Sequence, residues 1–333
     1  MTMLEFPHVL VTGGAGYVGS ALVPALLAAG YRVRVLDLYL YGEDLFADLR
    51  GPRLSEVRGD LRDAAVVREA VAGVDAVIHL ACISNDPSYD LDPALGKSIN
   101  YDAFRPLVRA SKAAGVRRFV YASSSSVYGV RDEPDVTEEL PLEPLTDYSR
   151  YKALCERVLA EERAPGFETV TVRPSTVCGY AKRLRLDLVV NILTNHGYHN
   201  RALKVFGGEQ LRPNIHIKDM VALYLHLLEL PAALVDGEIY NAGYENHTVR
   251  ELAEMVRAQL GGEIPIAVEP TDDRRSYHVS SEKMRRQLGF VPRHSIRDAI
   301  ADLQQAFAGG LVPDAMNDPV YYNIRRMQQV QLR

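Results

Sequence analysis

The run His8-Val9-Leu10-Val11-Thr12-Gly13-Gly14-Ala15-Gly16-Tyr17-Val18-Gly19 joins a short apolar strand to a glycine-rich turn, and an apolar helical run from Ala21 to Ala29 follows at once. Gly13, Gly16 and Gly19 give the GxxGxxG spacing. Glycines there let the backbone approach a pyrophosphate while the new helix aims its N-terminal amides at the negative charge. A glycine triplet also makes ordinary turns, so its flanks matter. A second apolar strand, Arg32 to Leu36, ends in Asp37, roughly 20 residues past the motif, where a ribose diol needs an acceptor. A carboxylate at that point repels the extra phosphate of NADP. The turn therefore reads as a dinucleotide site, and the preferred cofactor as NAD.

Working outward, strand-like runs recur at Ser55-Arg58, Ala76-Leu80, Arg118-Ala122 and Thr169-Arg173, with helical runs between them such as Ala64 to Ala72 and Asp102 to Ala114. That alternation predicts an α/β chain with a doubly wound parallel sheet and ligands at the strand C-terminal ends. After Pro174 the rhythm changes to loops rich in Asn, His and Gly, interleaved with helices at Met220-Leu230 and Val249-Leu260. We divide the chain into a dinucleotide domain of residues 1–175 plus about 214–241, a smaller α/β substrate domain of about 176–213 and 242–312, and a tail of 313–333.

The composition fits two domains of an ordinary globular enzyme: 333 residues, 47% hydrophobic and 24% charged, with a formal charge of -5. No Lys/Arg block is long enough to track a phosphate backbone, which argues against nucleic acid as a partner. No signal peptide or membrane-length apolar run is present, so the expected location is the cytoplasm. Cys82, Cys155 and Cys178 are scattered and odd in number, which suggests neither a disulfide framework nor a zinc cluster. His196 and His199 have no acidic or Cys partners at ligand spacing, so no metal is expected.

The second informative stretch is Tyr148-Ser149-Arg150-Tyr151-Lys152. Tyr148 and Lys152 stand i,i+4 and share a helix face, whereas Tyr151 diverges from its neighbour Lys152. A nearby ammonium lowers a phenol's pKa, which lets a tyrosine act as a general base near neutral pH. YxxxK alone also describes a solvated helix face. Here it follows the nucleotide turn and a strand ending in the hydroxyl run Ser123-Ser124-Ser125-Ser126, and in that order it reads as chemistry.

With these pieces in order the chain resembles the extended short-chain dehydrogenase/reductases, specifically the NAD-dependent epimerase/dehydratase type that works on nucleotide sugars. Other matching pieces are Gly59-Asp60-Leu61-Arg62-Asp63, His79-Leu80-Ala81, Asn100, the SSSSVYG of Ser123 to Gly129, Arg173-Pro174, and FGGEQLRPNIHIKDM from Phe206 to Met220. The resemblance implies a Rossmann-type fold. It makes Tyr148 the catalytic base, with Lys152 tuning it and holding the nicotinamide ribose, and Ser124 the hydroxyl that bonds the reacting sugar oxygen. Gly13, Gly16, Tyr17, Val18, Gly19 and Asp37 form the cofactor turn, and Asp60 and Leu61 flank the adenine. Leu80, Ala81, Ser123 and Pro174 line the cofactor path, and Asn100 supports the ribose or the catalytic water network. On the substrate side stand Ser124, Ser125 and Arg212, the last clamping the pyrophosphate, with Arg274 or Arg275 supplying a second cation.

Departures from the family pattern are also informative. Members that eliminate water carry an acid pair just before the VYG element, where this chain has Ser125 and Ser126, so a 4,6-dehydratase is disfavoured. The glutamate of decarboxylating relatives is missing too. The hydroxyl run looks more like the sugar epimerases. Transient oxidation at carbon 4 with tightly held NAD is then the expected reaction on a nucleoside-diphosphate sugar. A nucleotide-sugar ketoreductase or dehydrogenase and a non-catalytic NAD-sensing protein are the alternatives. Cys178, where relatives usually have tyrosine before the glycine, and Cys82 both read as packing thiols. A homodimer is expected through the helices of Asp102–Ala114 and Ser149–Glu162. Phe104, Leu107, Val108, Leu154, Val158 and Leu159 fit such a face or an internal core equally. The tail from Asp314 leaves three roles open: closing the substrate cleft, extending a dimer contact, or neither.

Overall fold

The computed structural model describes residues 4–271 and 276–332. Strands β1 (His8–Thr12), β2 (Arg32–Asp37), β3 (Leu54–Arg58), β4 (Ala76–His79), β5 (Arg118–Ala122) and β6 (Glu168–Pro174) pair in parallel. A late strand, Glu238–Ala242, adds to the edge beside β6. The order across the sheet is this edge strand, then β6-β5-β4-β1-β2-β3, which is the doubly wound Rossmann-type arrangement. β1, β4 and β5 are buried at every position, as strands covered by helices on both faces must be. The chain reverses direction of winding at β1/β4, and the ligand crevice lies beyond the ends of those strands.

The remaining strands build two small sheets. β7 (Thr176–Cys178) pairs in parallel with β9 (Leu211–His216), and Glu245–Thr248 pairs antiparallel with β9. β8 (Leu203–Phe206) pairs in parallel with Ile266–Glu269. Residues 214–216 therefore lie in a small sheet, while the helix Ile217–Glu229 and the strand Glu238–Ala242 return to the large one. The helices Val189–His199, Val249–Leu260 and Ile296–Ala308 close a separate core around Val190, Leu252, Val256 and Ile300.

The expected helix Asp102–Ala114 starts two residues later and is preceded by a turn of different winding. Ser98–Asp102 is a π-helical turn and Phe104–Ala113 the α-helix proper. Phe104, Leu107, Val108, Val158 and Leu159 are all buried in the core beneath the sheet, so these five of the apolar residues offered as a dimer face are internal packing, while Leu154 is half-buried outside that core. Charge, not apolar surface, joins those two helices on the outside. Glu162 receives Arg105, Arg109 and Lys112 at 3.0, 2.7 and 2.8 Å. Among the described residues no helix is long and apolar enough to cross a membrane.

Candidate active site

The glycine turn is held by backbone. Gly13 N–H donates to the Leu36 carbonyl at 2.8 Å, and Gly13 sits at φ +72°. A Cβ there would meet the Ala81 backbone nitrogen at 2.6 Å, and one on Gly19 would meet the Gly14 carbonyl oxygen at 2.4 Å. Only hydrogen fits at either place. The helix Tyr17–Ala28 starts at Gly16 with no side-chain cap, so its first N–H groups face the cleft unclaimed by the protein. Asp37, at the end of β2, accepts from Ala15 N–H at 3.0 Å and Tyr39 N–H at 2.8 Å. Burial raises its carboxyl pKa, and these amides together with Arg183 oppose the rise.

One cleft of about 730 Å³ contains Gly13, Gly16, Tyr17, Val18, Gly19, Asp37, Asp60, Leu61, Leu80, Ala81, Ser123, Ser124, Ser125, Tyr148, Lys152, Pro174 and Arg212. The sequence motifs converge on it because Gly13, Asp37, Asp60, Leu80, Ser123 and Pro174 lie at or just past the C-terminal ends of strands, while the helix Asp147–Glu161 brings Tyr148 and Lys152 and the start of β9 brings Arg212. Tyr17 touches the cleft, but its hydroxyl points away, donating to the Gly179 carbonyl and accepting from Asn191 Nδ2 at 3.2 Å. Ser123 likewise spends its hydroxyl on Glu156. Asn100 is not on the cleft wall. Its amide clamps Ile83, accepting from that N–H at 2.8 Å and donating to that carbonyl at 2.9 Å. The amide expected to support the ribose or the catalytic water network is here engaged with the loop after β4. Cys178 is fully buried in the smaller core with its thiol toward the Ile215 carbonyl, and Cys82 lines the cleft.

Thr146 caps the helix Asp147–Glu161 in a capping box with Ser149, which fixes Tyr148 in the first turn. The same Thr146 hydroxyl donates to Asp86 at 2.5 Å. One turn on, buried Lys152 donates to the Ala122 carbonyl at 2.7 Å, at the end of β5, with its ammonium 5.9 Å from the Tyr148 ring centre. Ser124 caps the turn Ser125–Tyr128 and shares a 2.8 Å hydrogen bond with Ser126. Its hydroxyl also stands close enough to Tyr148 to favour the phenolate.

The expected depression of the Tyr148 phenol by Lys152 is not what the side chains produce. Burial, then the neighbouring Cys82 and Asp86, push it well above the ordinary phenol range; Arg185 and the Ser124 hydroxyl pull the other way. Desolvation outweighs the cations because phenolate loses more than phenol in a low-dielectric wall.

Arg185 and Arg183 are the site residues that sequence reasoning missed. They belong to Arg183-Leu184-Arg185-Leu186-Asp187, a stretch following the Cys178-Gly179 corner, and both line the cleft. Arg185 is held in a fork by Asp187 at 2.9 and 3.1 Å and donates to Ser84 at 2.9 Å. Arg183 stacks on Tyr41, with 3.6 Å between guanidinium carbon and ring centre. Burial brings its pKa down to about 10, and its Nε is buried with no acceptor among the described residues. Two arginines spaced i,i+2 in an otherwise apolar run were the available signal.

Arg212 lies on β9 at the cleft, its guanidinium donating to the Leu211 carbonyl at 2.9 Å and lying 5.5 Å from the Tyr277 ring centre. Arg274 and Arg275 lie outside the described residues. His196 reaches the cleft, and His199 packs edge-on to Phe307.

An anion fits the uncapped helix start and the orphaned Arg183 Nε, and a ribose diol fits the Asp37 carboxylate. Gly13, Gly16, Val18 and Gly19 would hold the NAD diphosphate, with Asp37 on the adenosine ribose. The chain is 27% identical over 315 residues to the UDP-glucose 4-epimerase of Lactobacillus helveticus, covering 88% of this chain and 94% of the relative. It is 31% identical over 321 residues to the dTDP-glucose 4,6-dehydratase of Streptomyces niveus, covering 89% and 91%. Its fold matches DesIV, a dTDP-glucose 4,6-dehydratase from Streptomyces venezuelae solved with NAD bound. The TM-score is 0.83 and the identity 28%, over 94% of this chain and 99% of that one. The pattern for the NAD dependent epimerase/dehydratase family spans residues 9–243, from β1 past the edge strand, so the chain belongs to that family and its cofactor is NAD.

Proposed function

We propose that the protein is a nucleotide-sugar epimerase that inverts one hydroxyl-bearing carbon, carbon 4, through a transient ketone. The relatives include both epimerases and dehydratases, so the chemistry of the hydroxyl run carries the choice. Next to the Tyr148–Ser124 pair stand Ser125 and Ser126, neither of which can protonate a departing hydroxyl or take a carbon-bound proton at neutral pH. Asp86, the carboxylate whose charge reaches Tyr148, comes from the loop after β4 and accepts the Thr146 hydroxyl.

Bound NAD supplies a hydride acceptor and donor at the reacting carbon. Tyr148 takes the hydroxyl proton in the oxidising half and gives it back in the reducing half. A phenol raised by burial suits the second task; Arg185 and Ser124 favour the anion that the first requires. Ser124 holds the oxygen as charge develops on it. Arg212 anchors the diphosphate while the sugar turns over between the two halves.

The test is a panel of UDP-, GDP-, CDP-, ADP- and dTDP-sugars offered to protein purified with its own NAD. A sugar isomer of unchanged mass, formed without net change in NAD(H), is the expected outcome. Consumption of one NADH per product would assign a reductase and overturn the proposal, and a product lighter by one water would assign a dehydratase.

A further inference from the structure

The last helix of the chain, Asn323–Val330, crosses the mouth of the dinucleotide cleft. In the large sheet β1 lies between β4 and β2, and the glycine turn leaves the end of β1. The helix is tied down on both sides of that turn. On the β2 side Arg326 Nε donates to the Leu40 carbonyl at 2.5 Å. On the β4 side Asn323 Nδ2 donates to Ser84 at 3.1 Å, and Met327 packs among Ile83, Leu95 and Ile99 with Leu332 against them. A segment bonded to the loops after β2 and after β4 passes over the turn that follows β1. Accordingly Asn323, Met327 and Leu332 line the same cleft as Gly13 and Asp37.

The helix is rooted in the other half of the molecule. Leu186 N–H donates to the Tyr321 carbonyl at 2.9 Å, and Asn195 Nδ2 donates to the Tyr322 hydroxyl at 3.1 Å. Buried Asn323 sits at the junction. Its N–H donates to Asp187 at 3.2 Å, and its side-chain oxygen accepts from the Arg183 guanidinium. Arg183 is thereby fixed between Asn323 and the Tyr41 ring, with its unpartnered Nε in the cleft wall.

We propose that the C-terminal helix is a strap that retains NAD, and that Asn323 is the positioning residue that sets Arg183 toward the dinucleotide. The strap's outer end is held to the rest of the protein by Arg326, Met327 and Leu332, while Arg325 donates to the Met316 carbonyl at 3.2 Å within the tail itself, so it opens locally while Tyr321 and Tyr322 stay anchored. Cofactor exchange then proceeds at the rate of that opening. The proposal rests on NAD binding and is independent of which reaction the site performs.

Protein purified with bound NAD is mixed with excess isotopically labelled NAD, and exchange is followed by mass spectrometry after rapid desalting. Arg326→Ala, which alters a partly exposed side chain, should exchange several-fold faster than wild type. Asn323→Ala should exchange at least tenfold faster and bind NAD more weakly in a titration. Either variant, folded by far-UV circular dichroism yet exchanging at the wild-type rate, would overturn the strap. Hydrogen exchange on the wild-type chain gives a second arm that needs no variant. Saturating NAD should slow the amides of residues 323–330, and unchanged rates there would overturn it equally.

Discussion

Arg173 and Glu156 form a buried ion pair directly behind the hydroxyl run, through bonds of 3.0 and 2.7 Å. Both partners have further bonds: the Ser123 hydroxyl donates to Glu156, and Arg173 donates to Tyr128 at 2.6 Å. The pair thus ties the end of β6 to the catalytic helix and to the turn that presents Ser124. Removing one partner leaves a desolvated charge. Glu156→Gln should cost about 3–5 kcal/mol in urea unfolding. It should also lower activity in the folded fraction, because the weakened Arg173 pair no longer braces the turn that presents Ser124.

Tyr148 and Ser124 make separable contributions. Tyr148→Phe keeps the ring and removes the proton carrier, and should lower turnover by about a hundred- to ten-thousand-fold. Ser124→Ala removes an oxygen-holding donor and should cost roughly a hundredfold or more. NAD affinity, measured by titration of stripped protein, should be nearly unchanged in both. A loss of NAD binding matching the loss of turnover would show that these side chains hold the cofactor instead.

The parts of this site legible in the sequence are those that sit beside strand ends in short, contiguous motifs. Gly13, Asp37, Ser124 and Tyr148 each follow a strand or open a helix, so the alternation of elements already brings them to one edge of the sheet. Arg183, Arg185 and Asn323 follow no such rule. Asn323 meets Ser84 across 239 positions of chain, a contact set by how the tail packs. Asn100 shows a related limit: a motif position names a residue, and the π-helical turn that carries it sets which way the amide faces, here onto Ile83. The apolar periodicity of the Phe104–Ala113 helix could not separate an internal face from an external one, and burial resolved it as internal.

Arg185 provides a pH test of the phenol. Its cation favours the Tyr148 anion, so Arg185→Gln should raise the phenol further and leave less base at neutral pH. The acid limb of the pH–rate profile should move upward, with activity at pH 7 falling about tenfold for each unit of movement. Activity should recover at higher pH. A uniform loss at every pH would mean that Arg185 acts on substrate binding and not on Tyr148.

His79 and His216 should make stability fall in mild acid. Burial holds both neutral, bringing His79 down to about 3 and His216 down to about 4 from an ordinary value of 6.5. Below pH 6.5 the unfolded chain takes up these protons and the folded chain does not. Their contribution is complete above pH 6.5 and is lost as the pH drops toward 4, by roughly 2–3 kcal/mol per group. Urea midpoints measured between pH 7.5 and 4.5 should decline accordingly, and His216→Gln should flatten part of the slope.

Gly13 and Gly73 share a left-handed backbone, at φ +72° and +68°, but differ in what surrounds them. A methyl group on Gly73 meets nothing within 4 Å, so Gly73→Ala should cost only the backbone penalty, about 1–2 kcal/mol. On Gly13 the same methyl group would lie 2.6 Å from the Ala81 nitrogen and 2.7 Å from its Cα, atoms of a central β-connection that cannot yield. Gly13→Ala must push the turn away from β4, and with it the amides that open the first helix. Its stability loss in urea should exceed that of Gly73→Ala by about 1–3 kcal/mol. The larger effect should be on NAD, with affinity falling more than tenfold for Gly13→Ala and staying at the wild-type value for Gly73→Ala. Equal NAD affinities in the two folded variants would mean that the turn's backbone does not set the dinucleotide's position.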